Sequence, residues 1–261
     1  MRTLTPTAYL ALIVTVAGVS IVSASELQKK EFSIVLPDGW KEIPREELDR
    51  AEEATAKALP HVGSEHWEHG FQLEHSQNWF DYPYVLIQVK HTGRISQGEL
   101  DKHAGEGSSV NQNIDKMFSP MISDIQMGKL VYDKQSGLIW MRGEVTVANV
   151  GNTSGLLAII PTEDGIIRVH CSSLTKDYAI YGPLFRSLAR SVTPIPSLAY
   201  KQRPFESSQH YDTMDTIPLS NKQIGKIGAA ILLGALCAIV GGVVVIIGYV
   251  IRKSRNSQKK D

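Results

Sequence analysis

The chain has 261 residues, 43% of them hydrophobic, with 27 basic side chains balanced by 27 acidic ones. That length suits one globular domain with accessory segments. The even charge argues against a nucleic-acid binder, which gathers Lys and Arg on one face to neutralise phosphates. The two cysteines, Cys171 and Cys237, make no disulfide framework, because the second sits inside an apolar run; this fits a bacterial envelope protein with an ordinary core better than a disulfide-rich secreted scaffold.

In chain order, Arg2 precedes an apolar stretch over residues 8–22 and the small-residue triplet Val22-Ser23-Ala24. This reads as a signal peptide over residues 1–24, cleaved after Ala24. An uncleaved anchor is the alternative, since residues 5–24 could just span a bilayer. Either way the middle of the chain is exported.

The exported domain is expected over residues 26–192. Phe32, Ile34 and Leu36 alternate with Ser33 and Val35 ahead of the turn Pro37-Asp38-Gly39, so the domain opens on a half-buried strand, with Trp40 after the turn. Leu48, Ala51, Ala58 and Leu59 then fall at helical spacing between Pro44 and Pro60, with Glu46, Glu47, Asp49, Glu52 and Glu53 on the other face. Strands follow over residues 70–76 and 84–91, the second directing Val85, Ile87 and Val89 one way and Leu86, Gln88 and Lys90 the other. Ser96 and Glu99 form a capping box that starts a helical region, broken at Gly105 and Gly107 before Ile114, Met117 and Phe118 resume an apolar face. A run of hairpins is expected over residues 129–133, 138–148, 154–161 and 166–174, separated by short turns that imply antiparallel neighbours. A last helix carries Tyr181, Leu184, Phe185, Leu188 and Val192 on one face. Helices before and after a meander give an α+β fold, an antiparallel twisted sheet flanked by helices.

Residues 193–226 turn to Pro, Ser, Thr, Gln and Asn, and read as a flexible stalk. Residues 227–251 contain no charge over 25 positions, long enough to cross a hydrocarbon core of about 30 Å as a helix. Arg252, Lys253, Arg255, Lys259 and Lys260 follow, so the tail 252–261 is placed in the cytoplasm by the positive-inside bias. Within the span Ala230, Gly234, Ala238 and Gly242 recur every fourth residue, a smooth stripe suited to self-association or to another membrane helix.

The opening Phe32-Ser-Ile-Val-Leu-Pro-Asp-Gly-Trp40, together with the closing amphipathic helix after a meander, resembles PsbP-like domains, named for an extrinsic subunit of photosystem II and including DcrB-type envelope proteins. The resemblance covers about residues 26–192. It implies an antiparallel sheet between helices and a binding or assembly role in place of catalysis, and it carries over no site residue. The C-terminal span departs from the soluble members.

Among candidate sites, His61, His66, His69 and His75 with Glu65 and Glu68 form the densest ligand-like cluster, of a type that suits zinc or copper. His66 and His69 are the candidate metal ligands; they share a face only if the segment is helical, and Gly63 and Gly70 make a solvated loop the plainer reading. Trp67 between them covers the core or stacks on a ligand. His170 and Cys171 are adjacent, but successive strand side chains point to opposite faces, which separates nucleophile from base. Cys171 then joins Ile167 and Val169 in the core, while Arg168 and His170 face the other way, beside Arg142 and Glu144. Ser154 lacks a Gly-x-Ser-x-Gly turn, and residues 105–109 lack the lysine of a phosphate loop. Asn152-Thr153-Ser154 is a glycosylation acceptor only on a eukaryotic secretory route. The expectation is a non-enzymatic, single-span membrane protein with no cofactor, whose extracytoplasmic domain binds an unknown protein or small ligand; a metal-binding domain comes second and a hydrolase with dispersed residues third.

Overall fold

The computed structural model describes residues 24–58, 66–102 and 122–203. The rest of the signal segment, the later stalk, the apolar run 227–251 with its stripe, the basic tail and the expected helix around Gly105 and Gly107 lie outside the described residues. Among those described, no helix is long and apolar enough to cross a membrane.

The elements are β1 (Ala24–Gln28), β2 (Phe32–Pro37), β3 (Trp40–Glu42), α1 (Arg45–Ala58), β4 (His69–Leu73), β5 (Tyr84–Lys90) and α2 (Gln97–Lys102), then β6 (Ile122–Met127), β7 (Val131–Asp133), β8 (Leu138–Val147), β9 (Gly151–Pro161) and β10 (Ile166–Leu174). A single 3-10 turn, Thr175–Asp177, leads into α3 (Tyr178–Ser191) and β11 (Thr193–Pro194). The main sheet runs β3-β4-β5-β10-β9-β8-β6, with β7 on the same edge of β8 as β6, and a small sheet runs β1-β2-β11. Neighbouring strands in both are antiparallel. With α1, α2 and α3 around them this is the α+β architecture expected from the pattern.

The first face of the main sheet packs Val85, Ile87, Ile167, Val169, Leu156 and Ala158 against Phe32, Ile34 and Leu36 of β2 and Phe185, Leu188 and Ala189 of α3. The second face carries two apolar clusters. One gathers Leu100, Ile139, Met141, Leu157 and Ile159; the other sits under α1 and joins Ile43, Leu48, Ala51 and Trp67 to Phe80, Tyr84 and Leu86. Each fully buried Leu, Ile or Phe is worth roughly 1.5–3 kcal/mol over the exposed state. The exposed pair Lys57–Glu53 on α1 adds about 0–1 kcal/mol. Burial on the two faces therefore holds the fold, and α1's charged surface contributes little.

Local chemistry agrees with this layout. Gly39 turns the chain from β2 to β3 at φ +78, a region that glycine enters without steric cost. The capping box is formed: the Ser96 N–H donates to Glu99 Oε2 at 3.0 Å and the Glu99 N–H donates to Ser96 Oγ at 3.3 Å. Gly165 in the β9–β10 turn has φ +150, and a Cβ there would stand 1.9 Å from the Lys90 carbonyl oxygen.

Four features differ from the sequence expectation. The sheet opens one strand earlier than expected, on β1, whose Ala24 to Gln28 pair with Pro37 to Ser33 of β2. A strand, β6, precedes the expected meander; its pairing with β8 shifts register between Ser123 and Gln126, and Asp124 has φ +51. That irregularity breaks the period-two pattern by which a strand is read. The folded unit also reaches beyond residue 192: Thr193 and Pro194 pair with β2, the Ile195 N–H donates to Glu31 O at 3.0 Å, and Ala199 bridges Thr162. Backbone bonds to distant partners hold a segment whose composition resembles a linker. Finally, Arg142 and Glu144 lie on the first face, because Arg142 pairs with Leu156 and Leu156 with Cys171. Arg142 stacks 4.4 Å over the Tyr178 ring, on the opposite side of the sheet from His170.

Candidate functional site

The histidine cluster is divided by the fold. His66 Nδ1 lies 3.0 Å from Glu52 Oε2 on α1, whereas His69 Nδ1 lies 2.8 Å from Glu42 Oε1 on β3. Lys29 Nζ reaches the same Glu42 at 2.8 Å, and the His69 ring stands edge-on to Phe32 at 5.6 Å. His75 is exposed beyond the far end of β4, and His61 and Glu65 lie outside the described residues. Among the described residues no group of three or more His, Cys, Asp or Glu side chains is placed to hold a metal. His66 and His69 thus make two separate polar ties, one to α1 and one from β4 to its neighbour β3 within the main sheet.

His170 and Cys171 are likewise set apart. Cys171 lies in the first-face core, where burial pushes its thiol well above the usual range. In a Cys237→Ser background, a maleimide should leave the native protein unmodified and label Cys171 once it is denatured. Rapid labelling of the native protein would contradict this burial.

The second face holds a polar seam between its two apolar clusters. His170 is 2% exposed and pairs across the sheet with Leu86 and Leu157. Arg168, 4% exposed, pairs with Gln88. Among the described residues neither ring nitrogen of His170 has a hydrogen-bond partner. Burial first, and then the positive charges of Arg168 and Lys90, hold its imidazole well below the ordinary histidine range, so it is neutral at pH 7. Trp67 closes over it with ring centroids 4.9 Å apart at 84°.

Trp67 is clamped to α1 at both backbone ends. Its N–H donates to Glu52 Oε1 at 2.7 Å, and its carbonyl accepts from Arg45 Nη1. Arg45 Nη2 and Glu52 Oε1 are 2.6 Å apart, which closes the clamp. Gln88 Nε2 donates to the His66 carbonyl at 2.6 Å, tying the same segment to β5. Glu68 accepts the Val89 N–H at 2.8 Å, while burial raises its carboxyl.

The chain is similar to the solution structure of cyanobacterial PsbP (CyanoP) from Synechocystis sp. PCC 6803, at a TM-score of 0.41 and 10% sequence identity, covering 70% of this chain and 98% of that one. A likeness of this degree transfers no residue and no activity. No family model matches the sequence, and no curated protein matches it.

At the β9–β10 end of the sheet, the residues after α3 are gathered by Glu163. Its carboxylate accepts from the Lys201 N–H at 2.9 Å, from Arg94 Nε at 2.9 Å and from Arg203 Nη2 at 2.8 Å, and these bonds, the Lys201 N–H foremost, hold its carboxyl down to about 2. Arg94 stacks 4.4 Å over Tyr200, whose hydroxyl donates to the Ile95 carbonyl at 2.9 Å. Beside them His91 lies between Asp164 at 2.8 Å and Glu31 at 3.1 Å. Sequence reasoning found neither this hub nor the Trp67 clamp, since each joins residues far apart in the chain. The one local signal was the spacing of Arg45, Asp49 and Glu52 at i, i+4 and i+7 along a single helix face.

Proposed function

We propose that the protein is a single-span membrane protein whose α+β domain acts outside the cytoplasm as a binding or assembly module without catalysis. The observation that carries this reading is the covering of both sheet faces: β2 and α3 close the first, α1 and Trp67 close much of the second, and the polar side chains of the seam are buried. With the seam enclosed, the outer surface of the described domain is the face that a partner would meet. The uncharged run of 25 residues at 227–251 supports the membrane span, and the basic tail 252–261 supports a cytoplasmic C-terminus. The stripe Ala230, Gly234, Ala238 and Gly242 is a candidate contact with a second copy or another membrane helix.

In sealed membranes carrying the full chain, added protease should digest the domain and spare the tail; a protected domain would refute this topology. Crosslinking in the same membranes tests the binding role, with a saturable, specific partner expected and none recovered counting against it. The zinc or copper alternative is addressed by titrating the protein with either ion. Binding no tighter than nonspecific levels, and the same after His66→Ala and His69→Ala, is the expected result. Tight binding lost in these variants would establish the metal reading instead.

A further inference from the structure

We propose that the part of the first face left open beside α3 is a docking shelf for an acidic peptide segment of a partner protein. This rests on the binding-module reading above and adds the chemistry that such a module would recognise. α3 packs on β2, β9 and β10, so the next strand, β8, forms a floor about one helix diameter, roughly 10 Å, below its outer surface. The floor carries Arg142 and Trp140 of β8 and Val131 of β7, which pairs with Trp140 and shares its face. Tyr178, Arg186 and Arg190 of α3 form the wall. Arg142 stacks over the Tyr178 ring, and the Arg190 guanidinium lies 5.6 Å from the centroid of the Trp140 ring, so wall and floor meet along this line. Val131, Arg142, Arg186 and Arg190 are all exposed, and Trp140 is half-buried.

The charges of the shelf are arranged for an anion. α3 contains no Asp or Glu from Tyr178 to Ser191, whereas α1, on the second face, carries five acidic side chains and three basic ones. Arg142 is paired with Glu144, and Arg190 reaches Asp133 only at 3.9 Å. Among the described residues Arg186 has neither an ion pair nor a hydrogen bond. Burial raises the Tyr178 hydroxyl while the charges of Arg186 and Arg142 oppose that rise, which sets both guanidiniums about the same ring. Arg190, in the last turn, is favoured by the helix C-terminus; Arg186, four residues earlier, repels it with no acid between them. A carboxylate lying across the two relieves this repulsion, and each guanidinium offers several donors to it. Stacking on Tyr178 and Trp140 orients Arg142 and Arg190 in advance, which lowers the entropy lost on binding. Trp140 and Val131 add apolar contact, so the shelf suits a peptide in which carboxylates and apolar side chains are interspersed. A flat bilayer resting on α3 would stand off from Arg142 by the depth of the step, whereas an extended chain can enter it.

Fluorescence anisotropy on the full-length protein in mild detergent provides the test, with a short dye-labelled peptide rich in Glu with interspersed Leu and Ser as the probe. Saturable binding is expected, and none by the same peptide with Lys for Glu. Arg186→Gln and Arg142→Gln should each weaken it by about tenfold or more, with melting midpoints showing that the variants are folded. Lys57→Gln, which removes a cation from α1, should leave it unchanged. Arg186→Glu combined with Arg190→Glu should lose the acidic peptide and gain the basic one. No saturable binding by the wild type, or an equal loss in Lys57→Gln, would overturn the proposal. So would phosphatidylglycerol doped into the micelles displacing the peptide at lower concentration than unlabelled peptide does, since the shelf would then be a lipid headgroup site. In the sealed-membrane crosslinking described above, a partner captured equally by the wild type and the double Glu variant overturns the shelf and upholds the binding module. No partner from either counts against the module, and the peptide measurement still decides the shelf.

Discussion

Ending the chain after Val192 should lower the stability of the domain by about 3–5 kcal/mol, whereas ending it after Arg203 should leave stability unchanged. The shorter truncation removes the β11 pairing with β2, the Ile195 N–H to Glu31 bond and the Glu163 N–H to Leu198 carbonyl bond. It also strips Tyr200 from the Leu100–Met141 cluster. Each net backbone bond is worth about 1 kcal/mol, and partly burying a tyrosine adds a comparable amount. Glu163 would keep Arg94 and lose its other two donors. Chemical denaturation of the two truncated proteins decides the matter: equal midpoints and slopes would show that residues 193–203 are a passive leader to the stalk.

Phe185→Ala should cost about 3–5 kcal/mol, the range for emptying a fully packed aromatic site. Phe185 is fully buried, with its ring centroid 6.2 Å from Tyr181 and 6.4 Å from Tyr178, and it bears on the cluster that also contains Phe32, Ile34, Val169 and Cys171. Both sheets and α3 meet at this point, so no single neighbour can swing in to fill the space. Ile180→Ala on the same helix, where the side chain is 71% exposed, should change stability by less than about 0.5 kcal/mol. Thermal or denaturant melts of the pair provide the measurement, and similar losses in both would mean that α3 is held by helix propensity instead of by its buried face.

The parts of the fold that were legible in the sequence are those whose pattern is local. Phe32, Ile34 and Leu36 gave the alternation of β2, the spacing of Leu48 and Ala51 gave α1, and the turns at residues 135–137 and 163–165 gave the meander, with residues 166–174 matching β10 from end to end. The parts not legible depend on long-range pairing. β6 carries its irregularity at Asp124 and so shows no clean alternation; residues 193–203 are polar and proline-containing, yet they are fastened by bonds to Glu31, Thr162 and Glu163. The faces of β10 were read correctly, with Cys171 in the core and His170 opposite, but the company of His170 was not. Only the strand register shows that Arg142 stands with Cys171, and only the burial of Arg168 and His170, with Trp67 against the imidazole, shows that the seam is enclosed instead of solvated.

The ends of the two sheets bear on what happens when many copies crowd one surface. The main sheet stops on one side at β3, three residues long, and on the other at β6, distorted at Asp124, with β7 closing the remaining edge of β8. Short or distorted margins are poor templates for adding another chain. Among the described residues the five-residue margin of β1 has no strand on its outer side, but it is centred on Glu26, so two copies joining antiparallel about that point would set carboxylate against carboxylate. The described strand margins are thus poor starting points for strand-to-strand addition between copies, which favours side-chain surfaces for any contact between them.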